Sequence, residues 1–485
     1  MNWLEELAKI WHWLVAGLTV TLSVLASGHA LLHKRDSRAA MVWVGFVWFV
    51  PLLGSVAYFI LGVNRIKRRA QTLRGGLAKV VDQAGVKGID PGELATTLAA
   101  DHQHLLALAK ASDTVLQRPL LAGNQVEVLV NGDAAYPAML AAINAAEKSI
   151  TLCTYIFDRD EAGLAFTEAL GQAVRRGVEV RVLIDATGTR YSWPPILGEL
   201  RREKIKHARF LRTFPLRRML EMNLRNHRKI LVVDGVTGFT GGMNIRVGHW
   251  LEKQPRRPVR DLHFRLVGPV VSHLQEAFAE DWGFTTGESL RGEQWFPAQK
   301  NSGPVIARGV TDGPDEDFDK LRWAILAALA AAKTSVRIAT PYFIPDATII
   351  SALNLAAMRG VQVDILLPAK SNLPFVDWAS TALRWQLLER GCRLWLSPPP
   401  FDHSKVFVVD EVWSLIGSTN WDSRSLRLNF EFNVECYDPE LARALTGWFD
   451  AQLQRSRQTS LAEVDGRSVP IRLRDGAARL FSPFL

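Results

Sequence analysis

The stretch His227-Arg228-Lys229-Ile230-Leu231-Val232-Val233-Asp234 returns, chemically almost unchanged, as His403-Ser404-Lys405-Val406-Phe407-Val408-Val409-Asp410. The apolar middle of each copy reads as buried strand, and residues two apart on a strand share a face. His227 therefore projects with Lys229, and His403 with Lys405. Asp234 and Asp410 fall at the opposite parity, so their carboxylates face away and fix a turn or the neighbouring backbone. Each copy is followed at the same distance by a glycine-containing turn ending in Asn, Gly241-Gly242-Met243-Asn244 and Gly417-Ser418-Thr419-Asn420. A single His-x-Lys at a strand start is ordinary surface decoration. Two copies with matching Lys, Asp, Gly and Asn spacings mark a duplicated fold whose halves can build one pocket.

The flanking sequence supports the duplication. Ser149-Ile150-Thr151-Leu152-Cys153-Thr154-Tyr155 predicts a strand, residues 163–176 a helix and 178–185 a second strand. The same order recurs as a strand from Ser335 to Pro341, a helix over 348–359 and a strand over 361–368. Strands alternating with helices predict an α/β fold: two similar halves, each a mixed sheet flanked by helices. Residues 297–314, rich in turn formers, are expected to cross between the halves. The expected organisation is an anchor over 1–69, a helical connector over 70–124, a first half over 125–300 and a second over 301–485.

The anchor is read from two apolar runs, residues 11–32 and 41–63, each about the ~20 residues that cross a bilayer core. The second run carries no charge, and the first only His12 and His29. Together they predict a two-helix transmembrane hairpin. The link between them, from His33 to Arg38, holds three Lys/Arg, whereas Lys9, Arg65, Lys67, Arg68, Arg69 and Arg74 lie on the other side. The excess puts the N-terminus and the large C-terminal part in the cytoplasm, at the cell membrane. The formal net charge of +9 suits work beside anionic lipid. Cys153, Cys392 and Cys436 are too few and too widely spaced for a disulfide framework or a metal-ligand pair.

The paired motifs also carry chemistry. Two imidazoles, two ammonium groups and two amides around one phosphodiester supply a nucleophile, a general acid and charge stabilisation without metal or nucleotide cofactor. Lys229, Lys405, Asn244 and Asn420 are expected on the non-bridging oxygens, with the Ser418 hydroxyl as a further donor. Each imidazole also needs a partner on its other ring nitrogen, and Asp261 and Glu431 are the candidates. His263 and His273 have no counterpart in the second half and are expected to be uninvolved.

At these residues the chain resembles the phospholipase D superfamily, whose His-x-Lys-x4-Asp motif stands here twice. The resemblance extends to Thr154-Tyr155-Ile156-Phe157, Thr340-Pro341-Tyr342-Phe343-Ile344-Pro345 and Asn420-Trp421-Asp422-Ser423-Arg424-Ser425. With the N-terminal runs, it is similar to bacterial cardiolipin synthases over essentially its whole length. Gly242, where the superfamily often has Ser, is common in that subgroup. The resemblance implies a catalytic set of His227, Lys229, Asp234, His403, Lys405 and Asp410. It implies covalent catalysis, with His227 as nucleophile and His403 as general acid and then base, although the residues alone leave the two labels exchangeable. It further implies transfer between two phosphatidylglycerol molecules, giving cardiolipin and glycerol. Water as acceptor makes the same site a phospholipase D. Loops 188–195 and 371–378 are expected to shape the acceptor pocket. The membrane runs argue against nucleic acid as partner, and two intact motifs argue against a non-catalytic adaptor.

Overall fold

The structure is a computed structural model that describes residues 3–34, 37–62, 88–116, 118–211, 225–314 and 319–482. The N-terminal helices and the region carrying the two motifs form separate compact units.

In the N-terminal unit, α1 (Trp3–His33) contains Ile10–His33, among the described residues the one helix long and apolar enough to cross a bilayer. The second apolar run does not continue as one helix, contrary to the expectation of an unbroken span. α2 (Ser37–Phe49) stops short of Pro51, and α3 (Pro51–Ala57) starts on it. Proline has no N–H to give the preceding turn, so it takes the first position of a new helix. Gly54 lets α3 lie close to α2, since a Cβ there would stand 2.6 Å from the Phe46 carbonyl oxygen. The two runs nonetheless pack together. Ala26 and Ala30 bury against Val47 and Tyr58, and Trp48 Nε1 donates to Ser27 Oγ at 3.1 Å. Val63 and the basic residues from Arg65 to Arg74 lie outside the described residues.

In the larger unit, α4 (Pro91–Thr97) and α5 (Leu105–Val115) lead into the sheet. Asp90 and Glu93 form a capping box at the start of α4. Leu94, Leu98, Leu105 and Leu108 belong to the same core as Leu321, Ile325 and Leu353, so these helices are built into the second half. His104, just before α5, meets the Asp410 carboxylate through Nε2 at 2.7 Å.

The first half contributes β1 (Leu121–Val130), β2 (Ser149–Thr154), β3 (Glu179–Asp185), β4 (Lys206–Phe210), β5 (Ile230–Val233), β6 (Thr237–Gly241) and β7 (Leu262–Val267). The second contributes β8 (Val305–Asp312), β9 (Ser335–Ala339), β10 (Gln362–Pro368), β11 (Arg393–Ser397), β12 (Val406–Val409), β13 (Trp413–Gly417), β14 (Asn429–Tyr437) and β15 (Arg457–Thr459). All join one 16-stranded sheet in the order β15-β11-β10-β9-β12-β13-β14-β8-β1-β7-β6-β5-β2-β3-β4, with Arg225–Asn226 paired to β14 beside this path. Apart from β15, which has no counterpart, the order is palindromic about the β8–β1 junction. In each half three strands, β2, β3 and β4 or β9, β10 and β11, are parallel and those between them and the junction antiparallel, and β15 adds an antiparallel edge to the second half.

The parallel crossovers are made by α6 (Glu161–Arg175), between β2 and β3, and α7 (Ala347–Met358), between β9 and β10. Asp160 and Asp346 cap them by accepting from backbone N–H groups of the first turn. Each helix then turns at a glycine of positive φ, Gly177 at 90° and Gly360 at 91°. These strand and helix positions agree closely with those predicted from the repeat.

The segment 297–314 departs from expectation. It is not merely a turn-rich crossover, because it contains β8, buried along its whole length and paired with both β1 and β14. Arg308 at its centre is buried against Glu435, with Nε donating at 2.6 Å. That charge in an otherwise mixed stretch disguises a central strand.

Candidate functional site

The two motifs are held by each other's halves. Arg225–Asn226 runs parallel to Asn429–Phe430 of β14, and His227 N donates to Phe430 O at 2.9 Å. Phe401–Asp402 runs parallel to Val259–Arg260, and His403 N donates to Arg260 O at 2.8 Å. Each histidine thus lies just before its own strand, β5 or β12, and is fastened across the junction.

The side-chain partners cross in the same way. His227 Nδ1 lies 2.9 Å and 3.0 Å from the Glu431 carboxylate oxygens, and His403 Nδ1 lies 2.8 Å from Asp261 Oδ2. A carboxylate on Nδ1 holds the proton there and leaves Nε2 as the reactive nitrogen. Both lysines donate to the carbonyl of the histidine two residues earlier, each at 2.6 Å. Lys405 Nζ is also 3.1 Å from His403 Nδ1 and 3.3 Å from Nε2. The imidazole of His227 acts electrostatically on that of His403, and both lysines act on both rings. The four groups therefore converge on one site.

Burial governs their charge states. It drives both imidazoles well below their ordinary value, and the lysines push in the same direction. Burial also lowers Lys229 to about 7 and Lys405 to about 8, against the pull of Glu431 and Asp261. It raises Glu431 to about 7 and Asp261 to about 6, against the attraction of the same lysines. A phosphodiester anion entering between the lysines favours their charged forms and allows an imidazole to hold a second proton. The arrangement can bind an anion, attack it with a neutral imidazole and protonate a leaving oxygen.

The carboxylates of the motif aspartates face away from the imidazoles and bind backbone, as their strand parity predicts. Asp234 accepts from the backbone N–H groups of Glu147, Lys148 and Ser149. Asp410 accepts from those of Lys333, Thr334 and Ser335. Both lie at the far ends of β5 and β12 from the histidines and tie down the entries to β2 and β9. Ser418 touches the carboxylate that holds His227. Its hydroxyl donates to Glu431 Oε2 at 2.5 Å, with Phe432 O a second acceptor at 3.2 Å, and accepts from Phe432 N at 3.0 Å. At the matching position, a Cβ on Gly242 would stand 2.3 Å from Asp261 Oδ1. Glycine there makes room for the carboxylate that holds His403.

Asn244 and Asn420 are buried at the ends of their turns. Asn244 Oδ1 accepts from Ile156 N at 3.0 Å, which directs its amide nitrogen away from that backbone. Asn420 Nδ2 donates to Ser425 Oγ at 3.1 Å, while its Oδ1 is buried with no hydrogen-bond partner. His273 Nδ1 accepts from Gly309 N at 3.1 Å, a structural bond, and His263 is buried beside Gly241.

Three residues near the imidazoles were given no role by the sequence. The Tyr155 ring lies 5.3 Å from that of His227, and the Tyr342 ring 6.2 Å from that of His403. His249 lies 6.3 Å from His403, with its Nδ1 buried and unpartnered, and burial lowers it to about 3. His249 follows Asn244 by the spacing at which Ser425 follows Asn420. Comparing the two repeats beyond the Asn would have singled it out as a difference between the halves.

Comparison with known proteins agrees with this geometry. A family described as "Cardiolipin synthase, PLD-like domain" matches residues 139–282 and 325–453, and one described as "Phospholipase_D-nuclease N-terminal" matches 21–62. The chain is 31% identical to a cardiolipin synthase of Oceanobacillus iheyensis, over 97% of this chain and 99% of that one. It is 34% identical to cardiolipin synthase A of Pseudomonas aeruginosa, over 97% and 96%. Among solved structures, phosphatidylserine synthase of Haemophilus influenzae shares the fold, with a TM-score of 0.61 at 15% identity over 78% of this chain and 100% of that one. Two intact motifs converging on one site, in a chain matched end to end by such relatives, place this protein in the cardiolipin synthase family of phospholipase D-like enzymes.

Proposed function

We propose that the chain makes cardiolipin and glycerol from two molecules of phosphatidylglycerol through a phosphatidyl-histidine intermediate. The crossed pair of carboxylate-bound imidazoles carries this reading. Nε2 of His227 attacks phosphorus, the bond to the glycerol oxygen breaks, and His403 supplies that oxygen's proton. His403 then takes the proton of a free glycerol hydroxyl on the second lipid. The freed oxygen attacks phosphorus, and the phosphorus–nitrogen bond breaks to return neutral His227. Lys229, Lys405, Asn244 and Asn420 hold the non-bridging oxygens through both steps. The three donors on Glu431 make His227 the more firmly fixed ring, which supports its role as nucleophile.

The substrates fit a membrane protein. Both apolar runs are assigned to the bilayer, the second in kinked form, and the excess of Lys/Arg on their outer flanks assigns the larger unit to the cytoplasm. The test is purified full-length protein supplied with phosphatidylglycerol alone. Cardiolipin and glycerol are expected; phosphatidic acid instead means that water is the acceptor. With labelled lipid, His227→Ala is expected to abolish the covalent adduct, and His403→Ala to retain it without turnover. The reverse pattern exchanges the two roles.

A further inference from the structure

Large apolar side chains beside the site are exposed among the described residues. On the first half, Tyr191 and Trp193 are 58% and 93% exposed. Tyr191 packs 6.0 Å from Tyr155, the ring beside His227. On the second half, the Tyr342 hydroxyl donates to Asn372 Oδ1 at 2.8 Å and so holds the loop that presents Leu373 and Phe375. Helix α8 (Pro374–Thr381) continues from that loop, and α9 (Val469–Arg479) packs against it. Phe375 lies 5.6 Å from Phe481, and the Arg474 guanidinium sits 4.5 Å over Trp378.

Helix α9 does not bury its apolar stripe. Leu473 and Leu480, on one face by helical spacing, are 68% and 77% exposed. Arg472 and Arg479 flank that stripe, and Arg190 and Lys370 stand exposed beside the two rim loops. Aromatic and aliphatic side chains bounded by exposed cations are the composition of a surface that settles into anionic lipid headgroups. The two loops occupy matching places after β3 and β10, one packed on Tyr155 beside His227 and the other held by Tyr342 beside His403, so each flanks one imidazole.

We propose that this rim, formed by Tyr191, Trp193, Leu373, Phe375, Leu473 and Leu480, docks the mouth of the site onto an anionic bilayer, so that lipid phosphates reach the imidazoles without leaving the membrane. The proposal rests on the lipid-transfer reading above and adds a second membrane contact to the N-terminal helices.

The test uses the full-length protein in vesicles. The three cysteines are buried, so a single introduced cysteine carries an environment-sensitive dye selectively. Trp193→Cys, Phe375→Cys and Leu473→Cys are compared with Met358→Cys, an exposed apolar position at the C-terminal end of α7. In vesicles containing phosphatidylglycerol, dyes at the three rim positions are expected to be quenched by shallow nitroxide lipids, and the dye at position 358 is not. Equal water exposure at all four positions overturns the proposal. A second measurement uses Leu473→Glu with Leu480→Glu. Turnover of vesicle lipid is expected to fall about tenfold, while turnover of a short-chain soluble phosphatidylglycerol stays unchanged. Unchanged vesicle turnover, or an equal fall on both substrates, overturns docking. If the unsubstituted protein makes no cardiolipin from either substrate, the lipid-transfer reading fails, and the dye measurement still decides the docking.

Discussion

The two halves share one strand plan, yet they surround their histidines differently. Glu431, which holds His227, is gripped by Ser418 and Asn429, whereas Asp261, which holds His403, has the Leu262 N–H and the space left by Gly242. His249 stands beside His403, with Ser425 at the matching position of the other half. The same contrast extends to the residue between His and Lys. Arg228 is fully buried on Asp281, at 2.8 Å, where the second copy has Ser404. Duplication supplies a pair of equivalent scaffolds, and a few side-chain differences give two chemically similar imidazoles unequal surroundings. Unequal surroundings suit unequal work.

The comparison breaks most readily at the carboxylates. Glu431→Gln and Asp261→Asn each remove the charge that fixes an Nδ1 proton, and each is expected to lower kcat by on the order of 10³–10⁴. Burst measurements of covalent adduct should separate them, with Glu431→Gln slowing adduct formation and Asp261→Asn slowing its breakdown. Identical effects on both steps would show that the halves are not specialised.

Next come the lysines. Lys229→Ala or Lys405→Ala is expected to cost about 10²–10³ in kcat/KM. Because burial brings these ammonium groups to about 7 and about 8, kcat/KM should decline as pH rises through those values and their charge is lost. It should decline again on acidification through about 7 and then about 6, as Glu431 and Asp261 take up protons. Lys405→Arg keeps its charge above that range and is expected to extend the alkaline limb. An unaltered limb in that variant sinks the assignment.

Exchanging Gly242 and Ser418 sharpens the contrast at lower cost. Gly242→Ser forces the Asp261 carboxylate aside and is expected to lower activity about 10²-fold. Ser418→Gly removes one donor from Glu431 and is expected to cost about tenfold. The reverse ranking would mean that the Asp261 pocket tolerates displacement.

The smallest effect on chemistry is expected at the motif aspartates. Burial opposes ionisation of Asp410, but the three N–H donors and His104 outweigh it and hold the carboxyl below its ordinary value. A depressed value contributes stability at neutral pH that is lost as pH falls through it. Asp410→Asn should therefore cost about 1–3 kcal/mol in denaturant unfolding, with activity per folded molecule retained. A loss of turnover without a loss of stability would keep Asp410 in the catalytic set.

Much of the fold was legible before any coordinates. The strand at Ser149, the helix ending at the Arg176–Gly177 corner and their repeats at Ser335 and Gly360 follow from local periodicity and glycine placement. Two elements were misread for local reasons. Pro51 ends a helix inside a run whose hydropathy alone reads as continuous. The buried Arg308 makes β8 resemble a loop, because its partner Glu435 lies far along the chain.

The amino-acid sequence by itself determined that the chain is duplicated, that each repeat presents a His and a Lys on one strand face, and that its N-terminus is apolar enough for a membrane. Only the tertiary structure decided that Asp261 meets His403, 142 residues away, that Glu431 meets His227, 204 residues away, and that Ser418 donates to that same Glu431. The reason is physical. Strand parity and helix capping are set by neighbours within a few residues, whereas hydrogen-bond partners across a sheet junction are set by strand order, which no local pattern encodes.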